Sequence, residues 1–414
     1  MDIAEYRTSG VVVMGATLAR VVNTDHNNNT LGVFTDLPHI TWTFKRNDVS
    51  TGNWTIPLSH DNLTRAGFGP KRTDFRIGVS LDNGVNWNTV HAGICGPVGL
   101  DTDKDSVEVT GVDWTAWLDQ GYRFDGYQKD FANEKIRPED VSFVWNPGTS
   151  ASVIINDLVA NLCSGTALEC VQIPTPLYYG TEWNTVPILA ITIADQTNVL
   201  SEIKRLGELR EPDGYEFVMG WDKYLRVYFG RQFTASPESV LPTNSVASFS
   251  PSRDNIQRLQ WVNHGPKAIT TVGMPITFPG QKGFSTYSPS ITEYRDWWQF
   301  LKVGGIKDIV YYHGTGNYID VYTDTYATRD RFPQKDLTIT FDPTNVPVYG
   351  LIYGPEKYWF ENRTGHIIHV DSEDWFIDYW RIDDYFWIVD QTLTCDDAGN
   401  WTCTCTLEDT NASA

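Results

Sequence analysis

The sequence predicts a mainly β fold with α+β insertions, in which β-barrels carry inserted mixed modules, and three observations predict it. Short runs of β-branched and aromatic residues bounded by turn formers recur along the whole 414-residue chain. Helical periodicity is confined to 113–212 and 291–303. A Ser/Pro/Thr stretch from Thr234 to Ser252 reads as a linker between two unequal β halves.

Taken in order, "MDIAEYRTSGVVVMGATLARVV" lacks a basic leader and its short apolar run is broken by Arg20, so it reads as a strand and not as a signal peptide. "HITWTFKR", "GNWTIPL", "FRIGVSL" and "SVEVTGV" follow as strands. "GVDWTAWLDQG" is a short helix with Asp113 as its N-cap and Trp114, Trp117 and Leu118 on one face. A second helix, "TSASVIINDLVANLCSG", opens at Thr149 and Ser150 and closes at Gly165. The third carries Val199, Ile203 and Leu206 on one stripe before Pro212 stops it. Tyr215 to Gly230 is a hairpin, with Tyr215, Phe217 and Met219 alternating into a turn and Leu225, Val227 and Phe229 returning. The fourth helix starts at a capping box of Ser290 and Glu293 and ends on Gly304-Gly305. "IDVYTDTY" and "LTITFD" are strands, and the last two strands close a hairpin around Asp396 to Asn400.

Composition narrows the function. Lys and Arg number 32 against 52 Asp and Glu, for a net charge of -20. Nucleic-acid affinity comes mostly from cationic neutralisation of phosphates, so a DNA-gripping surface is excluded, whereas a surface past which DNA slides would also be acidic. No segment approaches the length of a membrane span, and the expected site of synthesis is a cytoplasm. Six cysteines are too sparse for a disulfide scaffold and read as reduced thiols. Cys395, Cys403 and Cys405 match no zinc spacing, and no cofactor is expected. Phosphate loops, nucleophile elbows and zinc-protease helices are missing from the sequence. Asp101, Asp103 and Asp105 begin like a calcium loop, but Ser106 and Val112 stand where glycine and glutamate are needed, so an acidic turn is expected. His366 and His369, three apart on a strand, would face opposite sides.

Residues 369–390, "HVDSEDWFIDYWRIDDYFWIVD", mix tryptophans with carboxylates as a sugar-cleaving groove does. Acid pairs such as Glu373 with Asp378, or Asp383 with Asp390, are available there. Acids are frequent in so acidic a chain, however, and Trp375, Ile377 and Tyr379 alternate against Trp380 and Ile382 as the two faces of a strand. Strands apolar on both faces occur where a second layer or another subunit covers them, so Trp375, Trp380 and Trp387 are expected in a core or an interface. The competing expectation is a receptor- or carbohydrate-binding protein with these tryptophans exposed along one groove.

Several segments in order resemble the baseplate hub, or tail-tip hub, proteins of long-tailed bacteriophages. In "ITWTFKRNDVSTGNWTIPL" the matching residues are Trp42, Arg46, Asn47, Gly52, Trp54 and Pro57. Gly93 in "VHAGICGPV", and Gly111 and Asp113 in "VEVTGVDWTAWLD", come next. Tyr349 and Gly350 in "VPVYGLIYG", and Arg381 and Ile382 before the closing hairpin, complete the set. The family's Gly-Asp turn in the last barrel is absent, since Gly354 precedes Pro355 and Gly365 precedes His366.

The resemblance implies a homotrimer in which each chain gives two β-barrel tube domains, the three assembling as a ring. The implied boundaries are 1–112 for the first part of barrel one, 113–212 for a lateral α+β module, and 213–252 for a return hairpin with linker. They continue with 253–290 for the first part of barrel two, 291–334 for a small insertion and 335–414 for the rest of barrel two. Implied partners are the distal tail protein, the tape-measure protein and a central fibre or spike. DNA is expected only in transit, no membrane is spanned, and no enzyme activity is implied. The expected location is the virion tail tip, after synthesis in the host cytoplasm. The chain stops soon after its last hairpin, so no fused lytic module is expected.

Overall fold

The computed structural model describes residues 17–25, 28–63, 73–101, 105–120, 142–145, 153–155, 157–159, 177–180, 191–194, 198–208, 215–219, 225–229, 247–264, 271–278, 281–287, 304–306, 334–346, 348, 359–373 and 381–409. The first strands are β1 (Leu18–Thr24), β2 (Thr30–Phe34), β3 (His39–Lys45), β4 (Thr51–Pro57), β5 (Asp74–Ser80), β6 (Asn88–Asp101) and β7 (Ser106–Asp113), followed by helix α1 (Thr115–Gln120). Then come β8 (Ser142–Trp145), β9 (Leu177–Gly180), β10 (Ile191–Ala194), helix α2 (Val199–Glu208), β11 (Tyr215–Met219) and β12 (Leu225–Phe229). The remainder holds β13 (Ala247–Phe249), β14 (Arg258–His264), β15 (Thr271–Phe278), β16 (Gln281–Tyr287), β17 (Gly304–Ile306), β18 (Gln334–Phe341), β19 (Ile367–Asp371), β20 (Asp383–Cys395) and β21 (Trp401–Asp409).

The fold is mainly β and mostly antiparallel, as the alternating strands predict. Thirteen strands form one sheet, ordered β14-β18-β21-β20-β3-β4-β7-β6-β5-β1-β2, with β13 and β19 joined to it through β20. The two ends of the chain meet where β20 pairs with β3, from Asp390 opposite Lys45 to Cys395 opposite Ile40. Threonine hydroxyls lace this seam: Thr41 with Thr394 at 3.0 Å and Thr43 with Thr392 at 2.9 Å. The inward residues form one apolar cluster running from Val21 and Trp42 to Cys405 and Leu407. Alternation puts them there: β3 buries Ile40, Trp42 and Phe44, and β4 buries Trp54 and Ile56.

Three smaller sheets are separate from the large one. The hairpin over 215–229 forms with Tyr215 opposite Phe229, as its pattern predicts. Its second strand, β12, pairs in parallel with β9. The 271–287 hairpin, expected in the second barrel, pairs β15 with β16 and with β17. The expected linker also ends in structure: β13 pairs in parallel with β19, and Phe249 is buried against Phe341 and Trp359. Serine and proline content had masked the short alternation Ala247-Ser248-Phe249, which the pairing partner stabilises.

Of the helices, α1 forms at the expected place, and the second expected helix has helical residues at 153–155 and 157–159. In α2, Val199 and Ile203 are buried, and Asn198 caps it by accepting the Ser201 amide at 2.8 Å. The fourth expected helix, over 291–303, lies outside the described residues, as does "IDVYTDTY". No helix among the described residues is long and apolar enough to cross a membrane.

Candidate functional site at the turn between β3 and β4

The motif residues of the N-terminal part converge on the five residues between β3 and β4. The turn must reverse the chain tightly, and Asn47 takes the left-handed conformation there with φ 53°. Four elements hold the turn. From β20, the Val389 carbonyl accepts the Arg46 amide at 2.9 Å; Val389 is the extra residue of a bulge against β21. Arg46 then lays its guanidinium over the Trp387 ring, 5.0 Å from the centroid, and pairs with Glu408 of β21 at 3.5 Å. From α2, Lys204 reaches Asp48 at 2.8 Å. From the end of β7, Asp113 donates its amide to the Ser50 carbonyl at 2.9 Å.

Asp113 is the buried pivot of this joint. Its carboxylate accepts the Thr115 amide at 3.0 Å and the Thr115 hydroxyl at 3.2 Å, which caps α1 as its sequence position predicts. Burial raises its pKa to about 7, against the opposing hydrogen bonds from Ser50 and Thr115. The Asp48 carboxyl lies below its usual value: burial pushes it up, and the bonds from Lys204 and the Val49 amide more than offset this.

The motif glycines have a steric reason. Gly52 of β4 stands opposite Gly111 of β7. A Cβ on Gly111 would overlap the Phe75 ring, whose Cδ1 and Cζ would be 2.8 Å away. A Cβ on Gly52 would press on Ile77 at 3.4 Å and His91 at 3.5 Å. The space is taken by a stack in which Trp54 meets Phe75 at 5.0 Å, Phe75 meets His91 at 5.5 Å, and His91 meets Phe44 edge-on at 5.3 Å. Gly93 of β6 faces Asp113, and a Cβ there would overlap the Val112 carbonyl oxygen. Trp42 is fully buried edge-on to Trp401, and Pro57 ends β4 opposite Ser106. Phe75, His91, Ser50, Lys204 and Glu408 belong to this arrangement without any local pattern that marks them.

Arg381 and Ile382 lie elsewhere, at the far end of β20. Arg381 pairs with Asp371 at 3.2 Å, and Ile382 exchanges hydrogen bonds with Ser372. Trp387 is buried in the middle of β20, where Phe386, Trp387 and Ile388 are consecutive buried residues. Part of the cover expected of a second layer or subunit therefore comes from this chain, through Arg46. Tyr349, Gly350, Trp375 and Trp380 lie outside the described residues.

The described members of the acid pairs each meet other groups. Asp383 is engaged by His369 at 2.9 Å, Glu373 accepts from Ser252, and Asp390 stands opposite Lys45. Asp378 is outside the described residues. Among the described residues no three His, Cys, Asp or Glu side chains gather as a metal site. Cys403 and Cys405 are buried thiols 3.9 Å apart, and burial pushes Cys403 well above the usual thiol range.

The arrangement is thus a mechanical joint: one turn tied to both ends of the chain and to α2. The Lys204 and Asp48 side chains are 34% and 46% exposed, so Lys204→Ala should cost less than about 1 kcal/mol and the loss should shrink in high salt. Urea unfolding of the variant at low and high salt checks this, and a larger, salt-independent loss would show that Lys204 holds the helix by packing.

No protein-family model matches the chain, and no curated protein matches its sequence. Solved structures do match. A tail protein of Neisseria meningitidis is 13% identical with a TM-score of 0.58, over 96% of this chain and 98% of that one. A 43 kDa prophage tail protein of Shewanella oneidensis is 11% identical with a TM-score of 0.59, over 96% of this chain and 100% of that one. A prophage tail protein of Listeria monocytogenes is 9% identical with a TM-score of 0.51, over 93% and 94%. These three neighbours are tail proteins, and across nearly its whole length the chain has their fold.

Proposed function

We propose that the chain is a structural protein of a phage tail tip, the hub that continues the tail tube and carries a central fibre or spike. Three copies form a ring, each giving two β-barrel domains, and the ring is part of the channel through which DNA leaves. The observation that carries this reading is the likeness to phage tail proteins of nearly equal extent, end to end, from Neisseria and Shewanella. The residues that resemble hub proteins lend support, since Arg46, Asn47, Gly52, Gly111 and Asp113 come together at one joint. A net charge of -20 suits a conduit that must not hold phosphates.

In this reading the protein turns nothing over, and its partners are the distal tail protein, the tape-measure protein and the fibre or spike. The carbohydrate-binding alternative needs Trp387 exposed along a groove, whereas Trp387 is 3% exposed beneath Arg46. Mass measurement and imaging of tails containing the chain test the proposal. A three-fold ring with an axial hole is expected, and a single copy per tail would remove it.

A further inference from the structure

Three hairpin tips share one construction. In Asp25–Asn29, Asp82–Asn86 and Asp396–Asn400, the Asp carboxylate accepts both the backbone and side-chain amides of the Asn four residues on, at 2.6 to 3.0 Å. Such a cage fixes a loop before any partner arrives. The second tip is tied further. Ser80 Oγ donates to Asp82 at 2.7 Å and accepts the Gly84 amide at 2.8 Å, and Trp87 Nε1 donates to the Gly84 carbonyl at 2.9 Å.

The described residues within the other two tips are polar or small, Asn28 in one and Asp397, Ala398 and Gly399 in the other. The middle tip presents Val85, 76% exposed. Leu18 and the Trp87 ring flank Gly84, and Arg20 lies over Trp87 at 4.3 Å. The tip is therefore a rigid apolar knob with a cation beside it.

The opposite end of β6 is its counterpart in character. The bulge between Cys95 and Val98 leaves Val98 49% exposed, Leu58 beyond β4 is 40% exposed, and Asp105 and Glu108 are exposed beside them. At the rise of a strand, the two ends of β6 are about 40 Å apart. Single exposed apolar side chains need no explanation. Here four of the six exposed large hydrophobics among the described residues, Leu18, Leu58, Val85 and Val98, sit at the two ends of one strand set.

We propose that these ends bind each other between copies of this chain, head to tail. The Val85 knob with Arg20 of one copy seats against Leu58 and Val98, with Asp105 and Glu108, of the next. A heterologous contact needs two unlike patches on one chain, and these two are unlike in charge as well as shape. The inference rests on the ring reading above and names its contact surface.

The test uses the full chain, purified and in assembled tails. Val85→Glu should leave the urea midpoint unchanged, because the side chain is exposed, and weaken self-association at least tenfold by mass measurement. Chains carrying Val85→Cys and Val98→Cys should form an intermolecular disulfide between positions 85 and 98, identified by peptide mass. An oligomer that Val85→Glu leaves intact, with no such link, would overturn this contact and leave the ring reading standing. Monomers at every concentration, with no link in tails and one copy per tail, would overturn both.

Discussion

Gly93→Ala is expected to destabilise the fold by on the order of 4 kcal/mol, a large share of the stability of a typical protein. The added methyl would overlap the Val112 carbonyl oxygen and lie 2.7 Å from Asp113 Cα. Both are backbone atoms, so no side chain can rotate away; β6 must part from β7 beside the buried Asp113. Gly111→Ala meets the Phe75 ring instead, a softer obstacle, and should cost about 1–3 kcal/mol. Trimming that obstacle should help: Gly111→Ala combined with Phe75→Leu should cost less than the two changes summed. Gly99→Ala, on the same strand as Gly93, is the control, since its nearest neighbour would be the Glu108 carbonyl oxygen at 3.9 Å. Urea unfolding followed by tryptophan fluorescence ranks the three. A Gly93→Ala protein as stable as Gly99→Ala would refute the steric account of the motif.

The contrast between these glycines shows what was legible in the sequence. Gly52, Gly93 and Gly111 stood out by motif, and so did Arg46, Asn47 and Asp113. Their purpose was hidden because the atoms they make room for belong to other strands: Phe75 of β5 and His91 of β6 reach Gly111 and Gly52 only after β4, β7, β6 and β5 have paired. The same divide runs through the fold. Hairpins such as Tyr215–Phe229 and the last two strands are readable because alternation and turn chemistry lie within one short stretch of chain. The parallel pairing of β12 with β9, and of β13 with β19, joins segments whose own sequences say nothing of each other. The Arg46–Glu408 pair likewise links the two ends of the chain. The apolar neighbours of Trp387 in the sequence say nothing of what covers part of its ring, a cation from a distant turn.

His91 and Asp113 should give this protein opposing pH dependences that only variants will separate. His91 is wholly enclosed by Phe44, Phe75 and its own strand neighbours, and burial lowers its pKa from 6.5 to about 3. Between those values the unfolded chain binds a proton that the folded one refuses, so this group's contribution to stability falls as pH drops from about 6.5, by about 1.4 kcal/mol per unit. Asp113 runs the other way, its pKa raised from 3.8 to about 7, so the folded chain holds the extra proton and stability falls as pH rises through that window. From roughly pH 4 to 6.5 the two slopes nearly cancel. His91→Leu should unmask Asp113, with stability relative to the parent rising by about 1.4 kcal/mol for each unit of acidification below pH 6.5. Asp113→Asn should show the mirror result, gaining on the parent as pH rises from about 4 to 7 and levelling off beyond. Stability curves of parent and both variants across pH 4 to 8 decide the matter. A difference that stays flat with pH for His91→Leu would mean that the imidazole is protonated in the folded core, and that its packing between the rings has been misread.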